Sequence, residues 1–323
     1  MAFPNVSDIV ATTIENRSRR IADNVEKNNA LLRRLQQRGN VRTIDGGSLI
    51  YEELSFAENS NAGWYSGYDL LPVAAQDVIS AAQYDLKQAA CPVTISGLDQ
   101  LKNSGKEQFI NLLEGRMGVA ESSMQNLLAA GVYSDGTGAG GKQITGLNAA
   151  VPVNPATGTY GGIDRSTAIG TFWRSKTTTA GAALTAATIQ GAFNDMWSSL
   201  VRGMDRPDLI VVDNFMWGLY LASLQAQQRF TGTETAKLGF PTVQYMDADV
   251  VLDGGIGGFM TTKTAFFLNT KFLFWRPHAQ RNMVPLSPDR RYAINQDASV
   301  SILAFCGQMT CSGAQFQGRL ISP

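Results

Sequence analysis

One segment constrains this chain more than any other. Ser104-Gly-Lys-Glu107 is a capping box, in which a Ser side chain and a Glu three residues on satisfy exposed backbone N–H groups at a helix start. After it Phe109, Leu113, Met117, Ala120, Met124, Leu127 and Leu128 recur at spacings of three and four, and Gly131 closes the run. The pattern predicts a helix over 104–130, roughly 40 Å long at a rise of 1.5 Å per residue.

Around it the pattern changes several times. Residues 6–38 read as a second long helix, exposed, capped by Ser7 or Asp8 and stopped by Gly39-Asn40. Its apolar positions (Val6, Ile9, Val10, Ile14, Ile21, Val25, Leu32, Leu35) make a thin stripe, suited to a helix lying on a neighbour rather than buried in its own core. Residues 48–56 and 82–90 read as strands; in the second, Ala82, Tyr84 and Leu86 alternate with Gln83, Asp85 and Lys87. Between them, 57–72 is rich in Asn, Ser and Gly yet carries Trp64, Tyr65, Tyr68, Leu70 and Leu71. That is a long hairpin with an aromatic tip, and large apolar groups at a tip mark a contact surface. Residues 131–162 form a connection with nine glycines. A helix over 185–201, an apolar strand at 208–213 opened by Pro207, and a helix through Phe215, Leu219 and Leu224 make a small α/β unit. Strands at 264–275 and 298–311 close the chain.

Lys plus Arg equal Asp plus Glu at 27 each, which excludes a polycation built to coat nucleic acid. The balance hides segregation. Residues 1–42 carry eight cations, among them Arg17, Arg20, Arg33 and Arg34, against four acids. Residues 43–86 carry seven acids, among them Glu52 and Glu53, and no Lys or Arg. A basic arm of one subunit meeting an acidic loop of another is the reading that uses both blocks.

Signals for chemistry are weak. A single histidine, His278, leaves little room for His-based metal sites or triads. Cys91, Cys306 and Cys311 are too sparse for a disulfide scaffold or zinc, and point to a reducing compartment. Cys91 would be activated by His278 only if the fold joined them, and Cys91-Pro92 reads as a strand boundary. Gly136-Thr-Gly-Ala-Gly-Gly141-Lys142 has the spacing of a P-loop, and 208–213 resembles a strand ending in a magnesium-binding Asp. Gln143, however, stands where Mg²⁺ needs a hydroxyl, and a helix rather than a strand precedes. Asp247, Asp249 and Asp253 read as solvent-facing acids on a strand edge. Trp173, Trp197, Trp217 and Trp275 suit core or interface packing. No catalytic residue, cofactor or metal is expected. The N-terminus has no secretory signal, and apolar runs such as 209–221, broken by Asp213 and Asn214, fall short of the roughly 18 residues of a membrane helix.

A resemblance becomes specific when several stretches are taken in order. These are Tyr160-Gly-Gly-Ile-Asp-Arg-Ser166 with Phe172-Trp-Arg-Ser175, Pro207-Asp-Leu-Ile-Val-Val212 with the aromatic helix after it, Gly239-Phe-Pro-Thr-Val243 with Asp247-Ala-Asp-Val-Val-Leu-Asp253, and Phe266-Phe-Leu-Asn-Thr-Lys-Phe-Leu-Phe-Trp275. Together they resemble the major capsid proteins of tailed bacteriophages, the Hong Kong 97-type shell fold. The resemblance implies an α+β chain: an N-terminal arm (1–45), an extended hairpin loop (46–90), a peripheral domain (91–183) with its spine helix at 104–130, an axial α/β domain (184–260), and strands (261–323) returning to the core. It further implies self-assembly into hexamers and pentamers of an icosahedral shell around viral double-stranded DNA, built in the host cytoplasm and residing in the virion. Expected partners are a separate scaffolding protein, since the chain reaches its arm at once, a cement or decoration protein, a portal, and packaged DNA in non-specific contact. No membrane is expected. Covalent cross-linking through a loop Lys is not expected, because 43–86 holds none. A bacterial nanocompartment shell, or a nucleotide-binding enzyme on the near-miss P-loop, are the competing readings. The candidate inter-subunit contacts are Glu52, Glu53, Trp64, Tyr65, Tyr68, Arg17, Arg20, Arg33 and Arg34. Trp64→Ala, or charge reversal at Glu52 and Glu53, is expected to block shell formation and leave a folded monomer.

Overall fold

A computed structural model describes residues 29–98, 106–224, 242–254, 258–286, 291–292 and 298–323. Most of the first predicted helix, with Arg17 and Arg20, lies outside the described residues, as do Ser104 of the capping box and Gly239-Phe-Pro of the resemblance.

The described chain starts with a short helix, α1 (Ala30–Gln37). Asn29 is extended, and its Oδ1 accepts from the backbone N–H groups of Leu31 (3.0 Å) and Leu32 (3.2 Å), an N-cap that begins a new helix. A continuous helix through 6–38 is therefore overturned: the capping Asn outweighs the periodicity. Leu31, Leu32 and Leu35 are fully buried in the protein's own core, so the expectation that this stripe covers a neighbour fails for its last turns. Gly39, at φ 72, ends the helix as predicted.

β1 (Leu49–Ser55) and β2 (Ile79–Asp85) form the predicted hairpin, in register from Leu49↔Asp85 to Ser55↔Ile79. The second strand was expected over 82–90, but the chain leaves the hairpin at Leu86. It continues as β3 (Lys87–Ser96), which pairs elsewhere. Alternation reports which face is buried, not which strand is the partner. Cys91-Pro92 lies inside β3 rather than at its boundary; among the described residues β3 pairs only with β13, and an edge strand is where a Pro is tolerated. The spine helix, α2 (Lys106–Val132), follows, with Met117, Ala120, Met124, Leu128 and Val132 buried.

The glycine-rich connection carries a two-stranded ribbon, β4 (Thr159–Tyr160) and β5 (Ile163–Asp164). Then come β6 (Lys176–Thr179), α3 (Ile189–Leu200), β7 (Leu209–Val212), α4 (Asn214–Leu224), β8 (Thr242–Tyr245) and β9 (Ala248–Leu252). The chain closes with β10 (Thr264–Leu268), β11 (Leu273–Pro285), β12 (Arg291–Tyr292), β13 (Ala298–Cys311) and β14 (Gly318–Ile321).

Two layers result. A six-stranded sheet has the order β6-β14-β10-β7-β9-β8, with β7/β9 and β6/β14 parallel. Alternation on its strands feeds two cores: Ile210, Val212 and Phe267 pack under α3 and α4, while Leu209, Val211, Phe266 and Leu268 join the main core. In the other layer β13 pairs β3 on one side and β11 and β12 on the other, with α2 packed against β3. Residues 40–44 run along β11 and bond to it through Asn40, Arg42 and Ile44. The segment from Asn29 to Ile44 thus ties the two sheets together.

The stretch containing Arg165, quoted for the resemblance, is a buried knot. Arg165 is 2% exposed, lies over the Tyr160 ring, and donates to the carbonyls of Trp173 (3.2 Å), Ala149 (3.0 Å) and Ala150 (2.7 Å). It closes the helical turn Leu147–Ala150 and the ribbon with one side chain. Arg165→Met removes every donor from these carbonyls while keeping the stem, so we expect a loss of about 3 kcal/mol in a denaturant titration. A change below about 1 kcal/mol would contradict this role.

Candidate assembly surfaces

The hairpin is planted before it protrudes. Ile50, Leu54, Ala82 and Tyr84 face the core, and Tyr84 Oη donates to the Cys311 carbonyl (2.8 Å). Between the leucine-rich positions, Glu52 is also buried. Its Oε1 accepts from Arg276 Nε (2.9 Å), Arg276 Nη2 (2.6 Å) and Thr310 Oγ1 (2.7 Å). Glu52 is therefore an anchor of the hairpin to β11 and β13. All of these partners lie in its own chain, so reversing its charge is expected to unseat the hairpin in the monomer. In a strand of alternating faces Glu52 shares the inward face with Ile50 and Leu54, whereas Glu53 points outward and is exposed.

Beyond Phe56, whose N–H meets the Val78 carbonyl at 3.1 Å, the ladder stops and the tip begins. Asn59 Oδ1 accepts from Asn61 N (2.9 Å), and Asn61 Nδ2 donates across the loop to the Ala74 carbonyl (2.6 Å). Asp69 Oδ2 accepts from Ser66 N (2.8 Å) around Gly67, which sits at φ 40. These bonds hold the loop open without covering its apolar groups. Trp64, Tyr68 and Leu70 are essentially fully exposed (105%, 106% and 98%), and Tyr65, Leu71 and Val73 are exposed beside them. The tip does not fold back on the core formed by the described residues. Glu53, Glu58, Asp69 and Asp77 are exposed along the same projection.

The basic residues of the arm behave differently. Arg34 reaches Asp208 (3.3 Å) and Asp249 (3.2 Å), and Arg38 reaches Asp208 (3.1 Å). Asp208 also accepts from Thr270 N (2.6 Å) and Thr270 Oγ1 (2.7 Å). Burial raises the pKa of Asp249; Arg34 opposes that rise and the charge of Asp208 adds to it. Arg34 is thus a clasp within one chain, holding α1 to β7 and β9. Arg33, half-buried on the same helix, stays a candidate.

The other chemical candidates resolve into structure. Of the three acids near β9, only Asp247 is solvent-facing, paired with Arg206 at 2.8 Å. Asp249 is in the clasp, and Asp253 accepts from the Tyr133 hydroxyl and from Asn29 Nδ2 (3.5 Å). The expectation of three edge acids fails because β8, not β9, is the edge strand, and because Asp249 and Asp253 find partners within the chain. Asp213 caps α4 through Met216 N (3.0 Å) and holds Lys263 N (2.6 Å). The P-loop-like stretch is a tight turn with Ala139, Gly140 and Gly141 left-handed, after a helix and before a single helical turn, so no helix N-terminus faces it. Register places Cys91 four residues along β3 from Lys87, which sits across β13 from Pro277, so Cys91 and His278 are offset by about 10 Å along the strands and have β13 between them. Burial pushes the Cys311 thiol up to about 12, with the backbone of Gly313 opposing it. Among the described residues no group of three or more His, Cys, Asp or Glu side chains could hold a metal, and no helix is long and apolar enough to cross a membrane. Trp173, Trp197 and Trp275 are buried as expected.

No family model matches the chain, and no curated protein matches it. Solved structures do. The chain is similar to the capsid asymmetric unit of cyanophage A-1(L), with a TM-score of 0.65 at 15% identity over 88% of this chain and 90% of that one. It is similar to the capsid of the native GTA particle (TM-score 0.60, 12% identity, 88% and 89% covered) and to the capsid of Myoviridae phage XM1 (0.54, 12%, 90% and 92%). At such identities the likeness lies in the backbone, and it runs through nearly the whole length of each chain. The protein has the Hong Kong 97-type capsid fold, with mixed helix and sheet as expected from its sequence.

Proposed function

We propose that this protein is the major shell protein of a tailed-phage head, assembling through pentamers and hexamers into an icosahedral container for double-stranded DNA. The observation that carries this beyond the fold is the hairpin: a base fixed by a buried ion pair, and a tip whose aromatic and leucine side chains no other described residue covers. Exposing such groups in water is unfavourable, and burying them against another copy recovers roughly 25 cal/mol per Å². Identical copies close a shell through heterologous contacts repeated around rotation axes, and a stiff arm with an adaptable tip serves five-fold and six-fold rings alike. Glu53, Trp64, Tyr65, Tyr68 and Arg33 are the contact residues in this reading, with the arm 1–45, the hairpin of β1 and β2, the spine-helix layer and the six-stranded layer as its working parts. A scaffolding protein, a cement protein and a portal complete the assembly, and packaged DNA touches the interior without sequence preference.

Electron microscopy of the expressed protein, with and without its neighbouring virion genes, tests the reading. Closed icosahedral particles are expected, and particles from a native source should hold nuclease-protected double-stranded DNA. Monomers at every concentration and ionic strength would refute a shell role, and particles filled with protein cargo would refute the viral one.

A further inference from the structure

The glycine-rich turn that mimics a P-loop walls a cavity unrelated to phosphate. The space, about 340 Å³, lies between the spine helix and the central sheet. Leu127 and Leu128 of α2 form one wall, Ile144 and Phe305 the others, and Ala139 with Lys142 come from the turn itself. Leu128, Ile144 and Phe305 are buried, and Leu127 is half-exposed at the mouth. Two ammonium groups belong to the site. Lys142 is exposed, and Lys87 donates to the Gly141 carbonyl at 2.8 Å, tying β3 to the turn. Among the described residues no carboxylate lines the cavity; Asp85, 4.0 Å from Lys87, is outside it. The turn keeps this shape at the expense of Ala139, held at φ 52 in the left-handed region that disfavours a side chain.

From this geometry we propose that the cavity binds a small amphiphile, an unbranched medium-chain carboxylate, with its hydrocarbon chain against Leu127, Leu128, Ile144 and Phe305 and its head between Lys142 and Lys87. Volume and charge both select this class. The space sits at the small end of the roughly 300–1,000 Å³ usual for small-molecule sites, its deep wall is apolar, and the charged groups among its lining, beside the neutral amides of Gln88 and Gln143, are cations. A bound chain wedges between the spine helix and β3 and stiffens that junction. The inference stands apart from the shell reading, since it concerns each folded chain by itself.

Calorimetric titration of the full-length protein with decanoate, below micelle-forming concentrations, is the test. Saturable one-to-one binding is expected, with octanoate roughly tenfold weaker because two fewer CH₂ groups are buried. 1-Decanol, which lacks the charge, is expected to bind at least tenfold more weakly than decanoate. Lys142→Gln is expected to weaken decanoate at least fivefold and leave decanol unchanged; the residue is exposed, so the fold is not at stake. Leu127→Trp, which fills the mouth, is expected to abolish binding with an unaltered melting temperature. No saturable binding at millimolar decanoate would overturn the proposal. So would equal affinities for decanoate and decanol that Lys142→Gln leaves alone.

Discussion

Replacing Trp64 and Tyr68 together by Ala is expected to abolish particle formation while leaving the chain as folded as before. Neither side chain touches the core, so the unfolding free energy should move by less than about 0.5 kcal/mol. Each ring, buried against a partner, is worth on the order of 2 kcal/mol as an interface anchor. Two of them lost from every subunit raise the concentration needed for assembly by about a thousandfold, since 1.4 kcal/mol is a factor of ten. Sedimentation and negative-stain images would show subunits or capsomers only. Normal shells from the double variant would end the proposal that the tip is the grip between copies.

Arg276→Ala should do the reverse and damage the monomer. The Arg276 guanidinium and the Thr310 hydroxyl hold the one acid of the hairpin that faces inward, and both ion-pair partners are largely covered, at 15% and 8% side-chain exposure. Removing the guanidinium leaves the Glu52 carboxylate buried with a single hydroxyl donor, a situation that costs about 3–5 kcal/mol. The loss should show as a much lower denaturant midpoint, with the hairpin detached first and protected least from hydrogen exchange. Glu52→Gln in the Arg276→Ala background should recover part of the loss, because the buried group is then neutral. Glu53→Lys is the contrasting control: exposed on the opposite face of the same strand, it should leave folding within about 0.5 kcal/mol of the parent and act on assembly alone. Equal stability losses at positions 52 and 53 would contradict the register of the hairpin.

The contrast between Glu52 and Glu53 shows how far the sequence could be read. Both belong to an acidic block without cations, and both looked like outward charge. Alternation in 49–55 says that one faces inward, but only the location of Arg276, 224 residues away, says that an inward carboxylate is tolerable. Arg34 repeats the point: its two carboxylates come from positions 208 and 249, adjacent only because β7 and β9 are parallel neighbours. The spine helix, by contrast, was legible to within two residues at its C-terminal end, because an apolar period of 3.6 is a local signal. The aromatic tip was legible too, since its composition is wrong for a self-contained loop.

What the sequence alone determined, then, is local: the long spine helix, the hairpin with its uncovered aromatic end, the α/β alternation, and the poverty of groups for chemistry. The tertiary structure decided the rest: where the second hairpin strand ends and β3 begins, why the arm helix is buried, which charges are inward anchors and which are outward, and that a P-loop-like turn walls an apolar cavity. The reason is physical. Helix caps and side-chain periodicity act within a few residues of each other, whereas strand partners and buried ion pairs depend on contacts that chain connectivity leaves hundreds of residues apart.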